Sequence, residues 1–469
     1  MHLNLQRLIY RRALWLLLSV VLMGAAVQQA DSAEHYVEQT LPELIYDSSE
    51  HFTDIDSANL DGLLERIGDS RVVLLGEATH GSAEFYDMRS RITRELIGKK
   101  GFNIIAVEAD WPDATSINHF VQGADHEPFQ RYVHRPIFKQ KPFSGFPTWM
   151  WANHSVLSFV NWLKNYNHSA HPVEDAVSFY GLDIYNMYSS IEAVLDYLQE
   201  VNPKAAEVAR RSYACLSPWV DNPSFYSRYM KSGRNRDCGN EVSTVLNALR
   251  KTRAFYNQTD SEIDRQRYFN AVQNARLVRN GERYYRTMYR ENINPWNLRD
   301  QNMMDTLMAV LNYHGRSSKV IVWAHNSHVG DARATEMNAQ GQFNLGQKVR
   351  ETFADSAYLI GFGTDHGTVA AAPEWGEAMK VMQVPHSQKD SYERLFHDVK
   401  TDNFMLPLRK PVQDITRKKL LAERLQRAIG TIYNPENDSD NNYSYSSLPR
   451  QFDEYIWFDE THAVKPFTQ

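Results

Sequence analysis

Short, strongly apolar runs that each end in a polar turn constrain the fold of this 469-residue chain more than any other feature. A run of about four β-branched or aliphatic residues is typical of a buried strand, and helical periodicity follows the first run from Ala83 to Ile97. Such runs predict strands at 72–75, 104–107, 177–180 and 319–323. Strands that alternate with helices predict an α/β protein with a mainly parallel sheet and flanking helices.

The sequence changes character between the third and fourth runs, where strand signals stop and long helical segments take their place. We predict a helical insertion over residues 191–315 that covers the cleft at the ligand edge of the sheet. The α/β catalytic domain is then predicted in two segments, 45–190 and 316–463. Further strands are predicted at 358–361, 368–371, 430–433 and 455–458, and a polar loop at 435–447.

Ionisable side chains follow the apolar runs at the point where each predicted strand ends. Glu77 and His80 follow the first run, Glu108 follows the second, and His325 and His328 follow the fourth. Because the carboxyl ends of parallel strands meet at one edge of a sheet, we expect these five side chains to line one crevice. Nearby carboxylates raise the pKa of a histidine and burial lowers it, so the two effects compete there. This grouping predicts general acid–base chemistry.

Motifs that are missing from the sequence narrow the chemistry further. It contains no Gly-x-Ser-x-Gly elbow, no His-Glu-x-x-His pair, and no Walker-type or Gly-x-Gly-x-x-Gly loop. These gaps argue against a serine hydrolase of the α/β-hydrolase kind, a common zinc protease and a nucleotide-binding enzyme. Hydrolysis or group transfer by a positioned base on water or a hydroxyl remains, with or without a metal.

Metal binding is the main alternative within that class. Glu77, Glu108, His325 and His328 together offer the nitrogen and oxygen donors that zinc prefers. Two histidines three residues apart in a loop, however, match none of the usual zinc spacings, so we expect no cofactor. Arg89 lies on the helix after the first run, and its spacing alone predicts a surface charge.

The net charge and the N-terminus bear on partners and location. A formal net charge of −6 gives no broad basic field, which argues against binding to nucleic acid.

The N-terminus has the pattern of a secretory signal, in which arginines precede an apolar run, here 13–27, that ends in small residues. We place this signal at residues 1–33. We expect export to the periplasm or beyond, with no stable membrane insertion after cleavage. An uncleaved membrane anchor is the alternative.

The chain contains two cysteines, Cys215 and Cys238. In an oxidising compartment, two cysteines this close in sequence predict a disulfide, which would stabilise the fold by about 3 kcal/mol on the chain-entropy model. The alternative is two separate buried thiols.

Several of these segments together resemble the erythromycin esterase family. The matching segments are GEATHG at 76–81, VEAD at 107–110, YGLDIY at 180–185, WNLRD at 296–300, WAHNSHVG at 323–330 and NLG at 344–346. They occur in the family's order and extend from about residue 45 to residue 463. The combination of GEATHG with AHNSH is specific to this family.

The resemblance implies a metal-independent hydrolase with a helical subdomain over its cleft. It implies that His80 is the general base, that Glu77 orients it or the water, and that Arg89 matches the family's active-site arginine. Glu108, His325 and His328 would complete the site. The implied partner is a small-molecule ester or lactone, a macrolide-type lactone and hence antibiotic resistance included. The alternative from another functional class is a non-catalytic or transferase-like envelope protein. The sequence leaves the oligomeric state open.

Overall fold

The structure, a computed structural model, describes residues 39–123, 148–169, 176–220, 222–231, 235–256, 262–374, 377–409, 411 and 414–466. The predicted signal at 1–33 lies outside these ranges. Among the helices of the described ranges, none combines the length and the apolar content needed to span a membrane.

The centre of the molecule is a nine-stranded sheet, to which a separate two-stranded ribbon is added. The strands are β1 (Glu50–His51), β2 (Val72–Leu75), β3 (Ile104–Asp110), β4 (Ser178–Asp183), β5 (Val320–Trp323), β6 (Ala357–Ala371), β7 (Lys380–Val384), β8 (Asn403–Pro407), β9 (Arg424–Arg427), β10 (Tyr443–Ser446) and β11 (Glu454–Thr461). The order across the sheet is β1-β8-β11-β6-β2-β5-β3-β4, β7 pairs with β6, and β9 pairs with β10 in the ribbon. The run from β11 to β4 is parallel throughout, which confirms the predicted fold class.

Helices flank the sheet and fill the connection between β4 and β5. The helices are α1 (Leu41–Ser48), α2 (Asp61–Ile67), α3 (Ala83–Lys100), α4 (Trp111–Val121), α5 (Thr148–Trp151), α6 (His154–Ser169), α7 (Met187–Val201), α8 (Pro203–Tyr213), α9 (Pro223–Met230), α10 (Gly239–Tyr256), α11 (Glu262–Thr287), α12 (Pro295–His314), α13 (Asn326–Val329), α14 (Leu345–Phe353), α15 (Tyr392–His397), α16 (Ile415–Leu420), α17 (Asp438–Asn441) and α18 (Leu448–Gln451). Helices α7 to α12 all lie between β4 and β5.

The apolar runs have no polar alternation because both faces of the central strands are buried. Val72 and Leu74 of β2 belong to one hydrophobic cluster, whereas Val73 and Leu75 belong to a second cluster on the other face. All four side chains have no exposed surface. Burial on two faces is the expected state of a parallel strand covered by helices.

Three predictions for the C-terminal part of the chain need correction. The strands predicted at 358–361 and 368–371 are one strand, β6, because its polar centre, which includes His366, continues the pairing with β11. The segment 430–433 is not a strand; Ile432 makes only an isolated bridge. The predicted polar loop at 435–447 contains the short helix α17 and the strand β10.

The turn after β2 fits closely against β6, which explains why glycine bounds it on both sides. A Cβ atom at Gly81 would overlap the carbonyl group of Ala370, and one at Gly76 would overlap the side chain of Asn326. The chain can therefore turn at the carboxyl end of β2 only if these positions carry no side chain.

Cys215 and Cys238 form a disulfide, as predicted. It joins the 3₁₀ helix that follows α8 to the start of α10, and its two cysteines have a sequence separation of 23. Cross-linking a loop of this length reduces the entropy of the unfolded chain.

We expect the double variant Cys215→Ser/Cys238→Ser to lose about 3 kcal/mol of unfolding free energy, because the unfolded chain regains that entropy. Urea unfolding of both proteins without reductant measures the loss. Reductant should destabilise the parent and leave the double variant unchanged. Equal destabilisation of the two would contradict the entropic account.

Candidate active site

Glu77 and His80 form a hydrogen-bonded pair at the carboxyl end of β2. The Nδ1 atom of His80 lies 2.8 Å from Glu77 Oε1, and both side chains are buried. A carboxylate at Nδ1 holds the proton on that nitrogen and leaves the lone pair on Nε2. Across the described residues, Nε2 has no hydrogen-bond partner. The arrangement therefore gives His80 an oriented basic nitrogen.

Arg89 lies directly behind this pair and is buried, so the surface position expected from its spacing is wrong. It is 1% exposed, and its guanidinium donates to the second oxygen of Glu77 at 2.5 Å. The guanidinium also lies 4.4 Å from the ring centre of Tyr86 and 5.0 Å from that of Trp323. Arg89 thus fixes Glu77 through charge and aromatic contact, and we regard it as a positioning residue.

Glu108 forms a second buried carboxylate centre inside β3. Its Oε1 accepts from Arg299 at 2.6 Å, and its Oε2 accepts from the backbone nitrogen of His325 at 2.8 Å. Arg299 also makes a two-pronged ion pair with Asp183, at 2.9 and 2.7 Å. Burial opposes the charge, but His328 and Arg299 hold the pKa of Glu108 well below its usual range. Glu108 is therefore an ionised anchor rather than an acid.

His328 lies between two carboxylates and beneath an indole. Its Nδ1 is 2.9 Å from Asp300 Oδ1, its Nε2 is 3.3 Å from Glu108 Oε1, and Trp296 stacks on its ring at 4.4 Å. Burial alone would lower its pKa, but the two carboxylates more than offset this and raise the pKa to about 9. Arg299 Nη1 lies 2.9 Å from Nε2, and this contact is a hydrogen bond only when His328 is neutral. At neutral pH the two cations instead share Glu108.

His325 is a neutral imidazole whose nitrogens are both engaged. Nδ1 accepts from the backbone and hydroxyl groups of Ser327, which leaves Nε2–H to donate to the carbonyl oxygen of Ala78 at 3.2 Å. Burial and the neighbouring ring of His80 lower the pKa of His325 to about 3. Its ring is 4.8 Å from that of His80, so it forms a wall beside that side chain.

A cavity of about 440 Å³ joins four of the six predicted residues: His80, Glu108, His325 and His328. Glu77 and Arg89 lie outside the lining, behind His80. The rest of the lining comes from Tyr185, Trp296, Arg299, Ser327, Met337, Gln342, Ala428, Gly430, Thr431 and Ser444. The cavity is thus bounded by the sheet edge, by α12 and by the segments around β9 and β10.

Other groups already occupy the donor atoms of the four residues considered above as metal ligands. Glu108 and His328 have Arg299 at 2.6 and 2.9 Å, and a guanidinium at that distance repels a metal cation. The oxygens of Glu77 are held by His80 and Arg89. Both nitrogens of His325 are also engaged.

Arg299, Asp300, Asp183 and Trp296 are functional-site residues that the sequence analysis did not single out. All four lie in the segments YGLDIY and WNLRD, which carried the resemblance. Arg299 and Asp300 are on α12, far from the strand ends in sequence, and helical arginines and aspartates are usually exposed. The signal that could have identified these four residues is their position in segments that the chain shares with the family it resembles.

We expect His328 to make stability depend on pH in the alkaline range. A histidine whose pKa is about 9 when folded and about 6.5 when unfolded stabilises the fold fully below pH 6.5, and this contribution disappears as the pH rises through 9. The loss is on the order of 3 kcal/mol. Urea unfolding at a series of pH values measures it. His328→Gln, which cannot titrate, should lack this slope; an unchanged slope would contradict the assignment.

This chain is similar in sequence to known proteins over most of its length. The model of the erythromycin esterase family matches residues 97–461. The chain is 20% identical over 382 residues to the Bacillus subtilis (strain 168) protein YbfO, whose name marks it as a proposed hydrolase; the match covers 76% of this chain and 79% of YbfO. It is 28% identical to the Escherichia coli erythromycin esterase type II over 150 residues, 30% of this chain and 31% of that protein.

Solved structures show the same fold at low sequence identity. A succinoglycan biosynthesis protein superposes with a TM-score of 0.72 and 21% identity, covering 92% of this chain and 98% of that one. An erythromycin esterase mutant in its open conformation gives a TM-score of 0.63 and 16% identity, covering 88% and 96%. With the family match extending over most of the chain, including the segments that carry Glu108, Arg299 and both histidines of AHNSH, this protein belongs to the erythromycin esterase family.

Proposed function

We propose that this protein hydrolyses a carboxylic ester or lactone by general-base activation of water on His80. The observation that carries the proposal is the Glu77–His80 pair, which presents an imidazole to a cavity while a carboxylate holds its other nitrogen. Membership of the family supports a hydrolase, and the names of two relatives agree with that class.

The site residues provide each part of such a reaction. His80 Nε2 takes a proton from water as the oxygen attacks the ester carbonyl carbon, and Glu77 stabilises the imidazolium that forms. The carbonyl oxygen becomes an oxyanion next to Arg299 and protonated His328, which are the cations of the cavity wall. Collapse of the intermediate breaks the bond from carbon to the alkoxide oxygen. The alkoxide then takes the proton from His80.

Neither of the other two histidines of the cavity is suited to be the base. His325 uses both nitrogens in hydrogen bonds, and its pKa of about 3 makes it a weak proton acceptor. His328 already holds its proton at neutral pH because its pKa is about 9. Their proposed roles are therefore to shape the cavity and to supply positive charge, respectively.

The substrate class and the location of the reaction are part of the proposal. A macrolide-type lactone is one candidate, and its hydrolysis would confer antibiotic resistance. Export, as expected from residues 1–33, would place the reaction in the periplasm or outside the cell. We also propose that 191–315 acts as a helical subdomain over the 45–190 and 316–463 catalytic unit, since α12 provides Trp296 and Arg299 to the cavity.

We expect His80→Ala to lower kcat/KM for ester hydrolysis by about 10²- to 10⁴-fold, the range typical for loss of a general base. Purified protein is assayed on a panel of macrolides and simple esters. The matched control is His462→Ala, because His462 also pairs its Nδ1 with a glutamate at 2.8 Å, but on the surface. The control should keep full activity.

Unchanged unfolding midpoints in both variants would show that any loss at His80 is chemical. Full activity of His80→Ala would refute the mechanism. Turnover that a chelator abolishes would favour the metal-dependent alternative. No turnover by the parent on any ester would favour a non-catalytic or transferase-like role for the same cavity.

A further inference from the structure

Three histidines converge on one aspartate at a place that the hydrolytic site does not use. Asp365 and His366 lie in β6, His386 follows β7, and His397 ends α15. None of the four lines the cavity described above. Within the described residues, this is the one group of metal-ligating side chains whose donor atoms all lie within 4.8 Å of one another.

The distances in this cluster match those of a metal centre. From Asp365 Oδ2, the Nδ1 atoms of His366, His386 and His397 are 3.2, 2.5 and 3.5 Å away. Tetrahedral coordination with bonds of about 2.0–2.1 Å places neighbouring donor atoms about 3.3 Å apart. All four donor atoms lie within 4.8 Å of one another, so small side-chain shifts would bring them around a single ion.

Hydrogen bonds account for the pairwise contacts of this cluster, but they leave three imidazoles facing one carboxylate oxygen. Oδ2 of Asp365 bonds to His366 and His386, which occupy its lone-pair sites, whereas Nδ1 of His397 lies 3.5 Å from Oδ2 and bonds to Asp459. The other oxygen, Oδ1, accepts from the backbone nitrogen and the hydroxyl group of Ser387. That pair of bonds fixes the buried carboxylate with Oδ2 toward the histidines, as outer-shell partners of metal ligands do.

The chemistry of the donors selects the kind of ion. Three imidazoles and a carboxylate suit zinc or a similar transition metal, whereas magnesium and calcium prefer oxygen donors. Asp459 adds a second carboxylate, 2.7 Å from Nδ1 of His397. Two carboxylates attract a divalent cation, and imidazoles bind a metal in their neutral form.

The cluster is connected to the wall of the hydrolytic cavity through one buried arginine. Arg427 donates to the carbonyl oxygens of Thr364 and Asp365, and the next residue, Ala428, lines the cavity. An ion here would join β6, the segment after β7 and α15, and would brace the segment that carries Ala428.

We propose that Asp365, His366, His386 and His397 bind a structural divalent transition-metal ion of the zinc type. The site is separate from the hydrolytic cavity, so it is compatible with a metal-independent reaction there. The bound ion would stabilise the fold where β6, the segment after β7 and α15 meet.

Tag-free protein is dialysed against a chelator and then titrated with Zn²⁺ in competition with a chromophoric chelator. We expect one tight equivalent in the parent and an affinity at least about 100-fold lower in His386→Ala, because loss of a ligand should exceed the 10- to 100-fold effect typical of outer-shell changes. His386 is suited to the test because its side chain is 62% exposed, so its removal should leave the fold intact. Zn²⁺ should also raise the unfolding temperature of the parent and not that of the variant.

His462→Ala is the matched control and should keep the parent's affinity. It removes a histidine that pairs with a carboxylate but that, among the residues the structure describes, belongs to no group of three or more metal-ligating side chains. Absence of a tight equivalent in the parent would overturn the proposal. Binding that persists in His386→Ala and disappears in His328→Gln would also overturn it and would place the ion in the hydrolytic cavity.

Discussion

The ion pair between Glu77 and Arg89 is the contact on which the rest of the site depends. A carboxylate with 2% exposure is stable only if its charge is compensated. Arg89 compensates one oxygen from the helix that follows the turn, which leaves the other oxygen to hold the ring of His80. Because the guanidinium is itself fixed between Tyr86 and Trp323, the orientation of His80 is set by packing in the protein interior rather than by solvent-exposed groups.

The same principle is repeated across the cavity. There the anion, Glu108, comes from the sheet, and the cation, Arg299, comes from the helical connection between β4 and β5. Asp183 and Asp300 compensate Arg299 and His328 in turn, so each of these buried charges has an opposite charge beside it. The side of the cavity at His80 thus offers an oriented imidazole, and the side at α12 offers positive charge, which is the polarity that the proposed attack on a carbonyl would use.

The sequence predicted those features that depend on local pattern. Because β2 and β5 are buried on both faces, they are uninterrupted apolar runs. Of the five side chains expected to line one crevice, His80, Glu108, His325 and His328 do so, and Glu77 lies behind His80. The sequence did not predict features that depend on contacts between distant segments. The burial of Arg89 depends on an aromatic pair that includes Trp323, and Arg299 reaches the site from a helix 191 residues after Glu108. His366 lies in the polar centre of β6, which the local sequence pattern predicts as a gap between two strands. The pairing with β11 that makes it one strand involves residues about 90 positions later in the sequence.

Residues from Glu77 to Ser444 line or support one cavity, and this has a consequence for when the protein can act. The backbone nitrogen of Ile429 bonds to the carbonyl oxygen of Ala78, so a late segment closes over the earliest site motif. During synthesis, His80 emerges long before the residues that wall it in. The base therefore meets a formed pocket only after almost the whole chain has been made, and a chain that crosses a membrane unfolded would carry no assembled site until it had folded on the far side.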